Sequence, residues 1–511
     1  MSESVSAREA RGLHEVGGAQ PRAERHSNWE AVIGIECHVE LKTKSKMFCG
    51  CANEFGGEPN TKVCPVCLAL PGSLPVANKA AIEHMISAGL AFGSQIPSFS
   101  KFDRKNYFYP DMPKDYQISQ YDMPITQGGV VRYWLEDGTM KECRLTRIHL
   151  EEDTGKSTHA GSDDGRIAGS TYSLVDFNRA GVPLMECVSE PELHSADEAV
   201  GYLEALRRTL EQLGVSDVKM EEGSLRCDAN VSVRPVGSQA LGTKAEIKNM
   251  NSFRSVHRAI ESEIERQIAL LERGERIIQE TRGWDELRGV TVSMRSKEQA
   301  HDYRYFPDPD LVPLEIASGT VERLRELLPE LPVHRFERYV GNLGLDAKQA
   351  TQLVDNGPLA AFFDAAVAAS ESPKQATNFV LGDLSRLANE TGTPVHESPV
   401  TPGHLAELIA LVEDKTINSK IAKDLVTRMW DGDGSPKAIV QREGLAQTSD
   451  PAAVEKFIDQ VLASNEKSVS DYRAGKTNVM GFLVGQVMKV SAGKADPQLV
   501  NSLMKQKLEV R

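Results

Sequence analysis

The nine residues Ile33-Gly34-Ile35-Glu36-Cys37-His38-Val39-Glu40-Leu41 alternate without a break, apolar at odd positions and polar or small at even ones. Successive side chains of a strand point to opposite faces, so this is a half-buried strand with Glu36, His38 and Glu40 on one side. Three further segments behave alike. Arg226, Asp228, Asn230 and Ser232 alternate with Leu225, Cys227, Ala229 and Val231; Lys244, Glu246 and Lys248 alternate with Ala245 and Ile247; and Ile148-His149-Leu150-Glu151-Glu152-Asp153 ends in three acids. Residues two apart on a strand face are only ~7 Å apart, so Glu36 and His38 can converge on one ion. Oxygen-rich donor sets with an occasional imidazole suit Mg²⁺ or Mn²⁺. The alternative is a polar face that simply meets water. Against it, these strands offer carboxylates, His and Asn rather than Thr, Lys and Gln, and clustered carboxylates call for a neutralising cation.

Helices interrupt these strands. Ser195-Ala196-Asp197-Glu198 has the pattern of a capping box and opens a helix with Val200, Leu203, Leu206, Leu210 and Leu213 inward, stopped by Gly214. Val256, Ile260, Ile264, Ile268 and Leu271 mark a second helix that ends at Gly274. Strands and helices without regular βαβ alternation predict an α+β domain of antiparallel or mixed sheet. From about Ile316 the pattern becomes helical, with a loop near Thr391–Pro402 and a turn at Trp430–Pro436. In the tail, Asp496 caps a helix, Pro497 takes its first position, and Leu499, Val500, Leu503, Met504 and Leu508 form its apolar stripe. The expected organisation is a disordered extension over 1–27, an α+β domain over 28–318, an all-helical domain over 319–430 and a small helical tail domain over 431–511.

The formal net charge of −14 argues against a protein that coats nucleic acid indiscriminately. That average conceals a gradient: residues 464–511 carry eight Lys/Arg against four Asp/Glu. No apolar run approaches the ~18 residues of a membrane span. The first 27 residues hold four Arg, four Glu and no hydrophobic stretch, unlike a secretory signal. We therefore expect a cytoplasmic protein in a reducing compartment, where cysteines hold metal or remain thiols. Cys49, Cys51, Cys64 and Cys67 give C-x-C-x12-C-x2-C, the spacing of a closed four-thiolate Zn²⁺ site. Cys37, Cys143, Cys187 and Cys227 sit singly in strand patterns and read as small core residues.

Phosphate-handling motifs are absent from the sequence. Thr154-Gly155-Lys156-Ser157 resembles the end of a Walker A loop, but Leu150 stands where its first glycine belongs. A nucleotide site would have to combine sheet-borne metal with scattered basic side chains: Lys101, Arg104 and Lys105 of the segment Lys101–Pro110, and Lys156. The other reading of that segment is an aromatic-cornered surface loop. No Cys/His pairing suited to glutamine hydrolysis is evident either.

Six segments, in order, carry a resemblance over residues 29–511: Val32–Leu41; Lys101-Phe102-Asp103-Arg104-Lys105-Asn106-Tyr107-Phe108-Tyr109-Pro110-Asp111; His149–Ser157; Val218-Lys219-Met220-Glu221-Glu222-Gly223-Ser224-Leu225-Arg226-Cys227-Asp228-Ala229-Asn230; Asp302-Tyr303-Arg304-Tyr305-Phe306-Pro307; and Met480-Gly481-Phe482-Leu483-Val484-Gly485-Gln486. Together the chain resembles the B subunit of the glutamyl-tRNA(Gln)/aspartyl-tRNA(Asn) amidotransferase. The resemblance implies a cradle-like N-terminal domain similar to glutamine synthetase, which uses ATP and Mg²⁺ to phosphorylate the side-chain carboxylate of mischarged Glu-tRNA(Gln) or Asp-tRNA(Asn). Ammonia then arrives from an amidase (A) subunit, and a small C subunit completes the complex. It further implies Glu36, His38, Glu152, Asp228 and Glu246 as Mg²⁺ ligands and a structural Zn²⁺ that is dispensable to the chemistry. On the residues themselves we expect catalytic roles for Glu152, Asp228 and Lys105, nucleotide contacts from Lys105, Arg104 and Lys156, and tRNA contacts in the mildly basic tail. Residues 1–27 and the loop 161–168 stand outside the resemblance as local additions. A noncatalytic tRNA-binding adaptor and a metal-dependent phosphodiesterase remain the competing readings.

Overall fold

Strand β1 (Trp29–Glu40) buries one side and leaves the other partly open, as its alternation requires. Ile33, Ile35, Cys37 and Val39 are almost fully buried, while Glu36, His38 and Glu40 are half-buried. The computed structural model describes residues 28–106, 108–161, 170–296, 303–446, 451–491 and 494–509. The expected extension over 1–27 and nearly all of the loop 161–168 lie outside the described residues. The chain forms two units, Met1–His334 and Arg335–Arg511.

In the first unit the further strands are β2 (Asp103–Asn106), β3 (Tyr116–Ser119), β4 (Thr126–Gln127), β5 (Val130–Trp134), β6 (Met140–Glu152), β7 (Lys156–Ala160), β8 (Tyr172–Asp176), β9 (Pro183–Ser189), β10 (Leu225–Pro235), β11 (Ala245–Lys248), β12 (Glu280–Asp285) and β13 (Val290–Ser296). Eight of these join β1 in one nine-stranded sheet, in the order β13-β12-β11-β10-β1-β9-β6-β4, with β5 also paired to β6. Only β11 and β12 run parallel; the other pairs are antiparallel. The expected α+β class with a mixed sheet is the observed one.

Helices α1 (Lys79–Ala91), α2 (Ala196–Gln212) and α3 (Phe253–Glu272) supply the apolar face's partners. Leu203, Leu206 and Leu210 of α2 and Val256, Ala259 and Ile260 of α3 join Ile33, Ile35, Cys37 and Val39 in one core. Ser195 caps α2 by accepting from the Glu198 N–H at 3.1 Å. The other half of the box differs: the Glu198 carboxylate accepts from the His194 N–H, one residue before the cap. Gly201 marks the closest approach of α2 to β5, because a Cβ there would lie 2.9 Å from the Tyr133 ring.

The second unit is helical. Gly357–Ser370 and Pro402–Glu413 pack together, with Phe363, Leu408 and Ile409 fully buried. The expected turn after Trp430 lies between helices Ser419–Trp430 and Pro436–Glu443, and Arg428 pairs across it with Asp433 and Glu443. The tail has its own small core, in which Ile458 of α4 (Pro451–Ser464), Leu483 and Val487 of α5 (Val479–Val490), and Val500 and Met504 of α6 (Pro497–Glu509) meet. Asp496 caps α6 by accepting from the Gln498 and Leu499 N–H groups. Among the described residues no helix is long and apolar enough to cross a membrane.

Leu206 lies fully buried between α2 and the sheet. Leu206→Ala should lower stability by about 2–5 kcal/mol, measured as a lower denaturant midpoint with an unchanged slope.

Candidate active site and metal centres

The polar face of the sheet is assembled by register. His149 of β6 lies opposite Glu186 of β9, Glu186 opposite His38 of β1, and His38 opposite Arg226 of β10. In the next row Glu36 lies opposite Asp228. Side chains directly opposite on an antiparallel pair are close neighbours, so residues far apart in the chain become one cluster. His38 Nε2 is 3.6 Å from Glu36 Oε1 and 3.6 Å from Glu186 Oε2. His149 Nε2 is 3.3 Å from Glu186 Oε2 and 3.6 Å from Glu151 Oε2. Two donor groups that could hold a metal result, Glu36/His38/Glu186 and His149/Glu151/Glu186, sharing Glu186.

The electrostatics are those of a crowded, half-dry acid cluster. Burial and the neighbouring Glu186 raise the Glu36 carboxyl above its ordinary range. Burial would raise Glu186 too, but His149 and His38 hold it well below that range. Burial opposes the charge on His149, yet Glu186 and Glu151 outweigh it and push the imidazole up to about 9. Lys105 Nζ stands 3.8 Å from Glu151 and over the Tyr303 ring. At the other side Lys248 pairs with both Asp228 and Glu246. The Thr281 hydroxyl donates to Glu246 at 2.9 Å. Glu36, Glu151, Glu186, Asp228 and Glu246 thus each have a cationic or hydrogen-bonding neighbour, and a divalent ion could take over that neutralisation.

Of the residues singled out in the sequence, the structure brings Glu36, His38 and Lys105 to this cluster. Asp228 and Glu246 are on the same face but gathered around Lys248. Glu152 is not brought there. It neighbours Glu151 on β6 and therefore points to the opposite side. There it accepts from Lys114 at 2.6 Å and from the Ile118 N–H at 3.0 Å. Arg104 alternates with Lys105 in the same way and is held by Asp308 and Asp310, with Tyr116 under its guanidinium. Lys156 lies exposed at the start of β7, in the hairpin with β8. The residues that sequence reasoning missed are Glu186, His149 and Glu151. His149 and Glu151 repeat the two-apart spacing of Glu36 and His38, and Glu186 is the one charge inside the apolar strand Pro183–Ser189.

A second centre lies at residues 49–67. The four sulfurs of Cys49, Cys51, Cys64 and Cys67 form one group able to hold a metal. Cys67 Sγ is 3.5 Å from Cys49, 3.7 Å from Cys64 and 3.8 Å from Cys51. A tetrahedron with Zn–S bonds of 2.3 Å has edges of about 3.8 Å, so the cluster has the dimensions of a thiolate metal site rather than of disulfides. The Cys49 hydrogen bond and the Lys46 ammonium bring the Cys67 thiol down to about 4, against the opposing effect of burial. The remaining cysteines, Cys37, Cys143, Cys187 and Cys227, are buried and unbonded to one another. Cys187, Cys37 and Cys227 sit side by side on the core face of β9, β1 and β10.

Two family models match the chain. "GatB/GatE catalytic domain" covers residues 31–322, which contain both centres, and "GatB domain" covers residues 361–508. Among curated proteins, the B subunit of the aspartyl/glutamyl-tRNA(Asn/Gln) amidotransferase of Moorella thermoacetica is 55% identical over 94% of this chain and 100% of its own length. The proteins of the same name from Thermosynechococcus vestitus and Thermoanaerobacter sp. are 52% and 51% identical, each over 94% of this chain and 96% and 99% of their own lengths. A match of this extent, spanning sheet, helical region and tail, shows that the chain belongs to the B-subunit family of the aspartyl/glutamyl-tRNA(Asn/Gln) amidotransferases, ligase-class enzymes.

Proposed function

We propose that this subunit activates the side-chain carboxylate of mischarged Glu-tRNA(Gln) or Asp-tRNA(Asn) with ATP and then converts it to the amide. The observation that carries this reading is the shared Glu186, which joins two carboxylate–imidazole groups into one cluster with Lys105 at its edge. A carboxylate is a poor acyl donor because its leaving group would be oxide. Attack of a carboxylate oxygen on the γ-phosphorus of ATP forms the acyl phosphate and releases ADP. Ammonia then attacks the carbonyl carbon, phosphate leaves with the C–O bonding pair, and the nitrogen gives up a proton. Phosphoryl transfer asks of the protein mainly positioning and charge neutralisation. Glu36, His38, Glu186 and Glu151 would hold Mg²⁺, which supplies neutralisation of the phosphate oxygens when bound. Lys105 of β2, 3.8 Å from Glu151, would meet the phosphoryl group. Asp228 and Glu246, oriented by Lys248 and Thr281, complete the negative rim.

The chain needs a source of ammonia. Four cysteines form the 49–67 cluster and four are buried in the sheet, which leaves no exposed thiol for glutamine hydrolysis among the described residues. We infer an amidase partner, with the small third subunit of the family's complexes. Zn²⁺ would occupy the four-cysteine cluster in a structural role. The tail, with its excess of basic residues over 464–511, would contact tRNA by shape and local charge.

Three measurements test this reading. Glu186→Gln and Glu151→Gln should each weaken Mn²⁺ binding at least about tenfold and abolish tRNA-dependent ATP hydrolysis by the reconstituted complex, whereas Glu152→Gln should bind Mn²⁺ like the parent. Unchanged Mn²⁺ affinity in Glu186→Gln would sink the ligand set; an unchanged ATPase rate would favour the adaptor, and cleaved tRNA the phosphodiesterase. Elemental analysis should find one zinc per chain, and less than about half an equivalent would count against a closed thiolate site. Deleting residues 431–511 should weaken tRNA binding and leave ATP binding unaltered; equal tRNA affinity would remove the tail from the tRNA interface.

A further inference from the structure

Lys46 is among the most deeply buried side chains of the protein, with 0% exposure. Its ammonium donates to Cys67 Sγ at 3.5 Å and to the Phe177 carbonyl at 3.3 Å. Among the described residues no carboxylate pairs with it. An ammonium buried without a counter-charge is strongly unfavourable. The neighbour in hydrogen-bond contact that can supply one is the cysteine cluster, since four thiolates around one divalent ion leave a net negative charge.

The same residue joins the cluster to the catalytic sheet. The Lys46 N–H donates to the Cys51 carbonyl at 3.0 Å, and the next N–H, that of Met47, donates to the Gly181 carbonyl at 2.7 Å. The loop between Cys51 and Cys64 adds its own ties. The Asn60 N–H donates to Asp176 at 2.9 Å and the Lys62 N–H to Asn178 at 2.8 Å. The segment so held is bound in turn to the end of β6. The Gly181 N–H donates to the Asp153 carbonyl at 2.9 Å, and Arg179 donates to the Thr154 carbonyl at 3.0 Å. Asp153 directly follows Glu151 and Glu152.

We propose that Lys46 is the charge partner of the four-cysteine metal centre and the positioning residue through which that centre braces residues 176–182 against the acidic end of β6. The proposal rests on the zinc reading above. It gives a signature that a packing role alone would not. Lys46→Met keeps most of the side-chain volume and removes the charge. With zinc bound, the anionic four-thiolate centre loses its partner; without zinc, no such centre remains to be compensated.

The test uses the full-length chain and its Lys46→Met and Lys46→Arg variants. Zinc release to a colorimetric chelator is timed, and thermal midpoints are recorded for zinc-loaded and zinc-stripped protein. Lys46→Met should release zinc ~10-fold faster or more, melt lower than the parent when loaded, and lose clearly less of its melting temperature, or none, when stripped. Lys46→Arg, which keeps the charge, should recover slow release. Equal release rates in Lys46→Met and the parent would overturn the proposal, as would equal destabilisation of its loaded and stripped forms. A parent chain that takes up no zinc would overturn the metal reading itself, a result distinct from either of these.

Discussion

The antiparallel register of β1 against β9 and β10 is the constraint on which the candidate site depends. Because side chains alternate in direction, that register decides at once which residues enter the core and which meet across the polar face. Cys37 stands between Cys187 and Cys227 on one side, and His38 between Glu186 and Arg226 on the other. A slip of one residue would turn every member of both rows over. The core of Ile33, Ile35, Leu203, Leu206 and Ile260 therefore specifies the chemistry of the opposite face as well as stabilising the fold.

The face so assembled gathers carboxylates that repel one another, and the fold counters this locally. His38 and His149 flank Glu186, Lys105 approaches Glu151, and Lys248 lies between Asp228 and Glu246. This arrangement holds the acids close together and favours the ionised forms of Glu186 and Glu151, the state a divalent ion needs to find. The side of β1 that carries these groups is partly open, and their roots on long strands hold them in place.

The four-cysteine cluster stands beside the sheet and is joined to it. Lys46 and Met47 connect the cluster to Phe177 and Gly181, and Gly181 connects to Asp153 beyond the acids of β6. These bonds tie the cluster to the strand end that carries Glu151 and Glu152. Glu152 belongs to the same neighbourhood, with its carboxylate on Lys114 and the Ile118 N–H.

Much of this protein was legible in its sequence because the relevant signals are local. Alternation along Ile33–Leu41 marks a strand, the stripes Leu203–Leu210 and Val256–Ile268 mark the covering helices, and Cys49-x-Cys51 with Cys64-x-x-Cys67 marks a thiolate centre, since each pattern repeats with the period of its own backbone or turn. What was not local could not be read. Among Glu151, Glu152 and Asp153 only strand pairing decides which acid shares a face with His149, and it selects Glu151. Glu186 lies in a strand buried on both faces, where no alternation advertises its side. Lys46 looks like an ordinary turn lysine until the fold encloses it. The sequence by itself determined the strands, helices and donor types; the tertiary structure alone decided which donors meet, because convergence across strands depends on register, and register is settled by packing between distant segments.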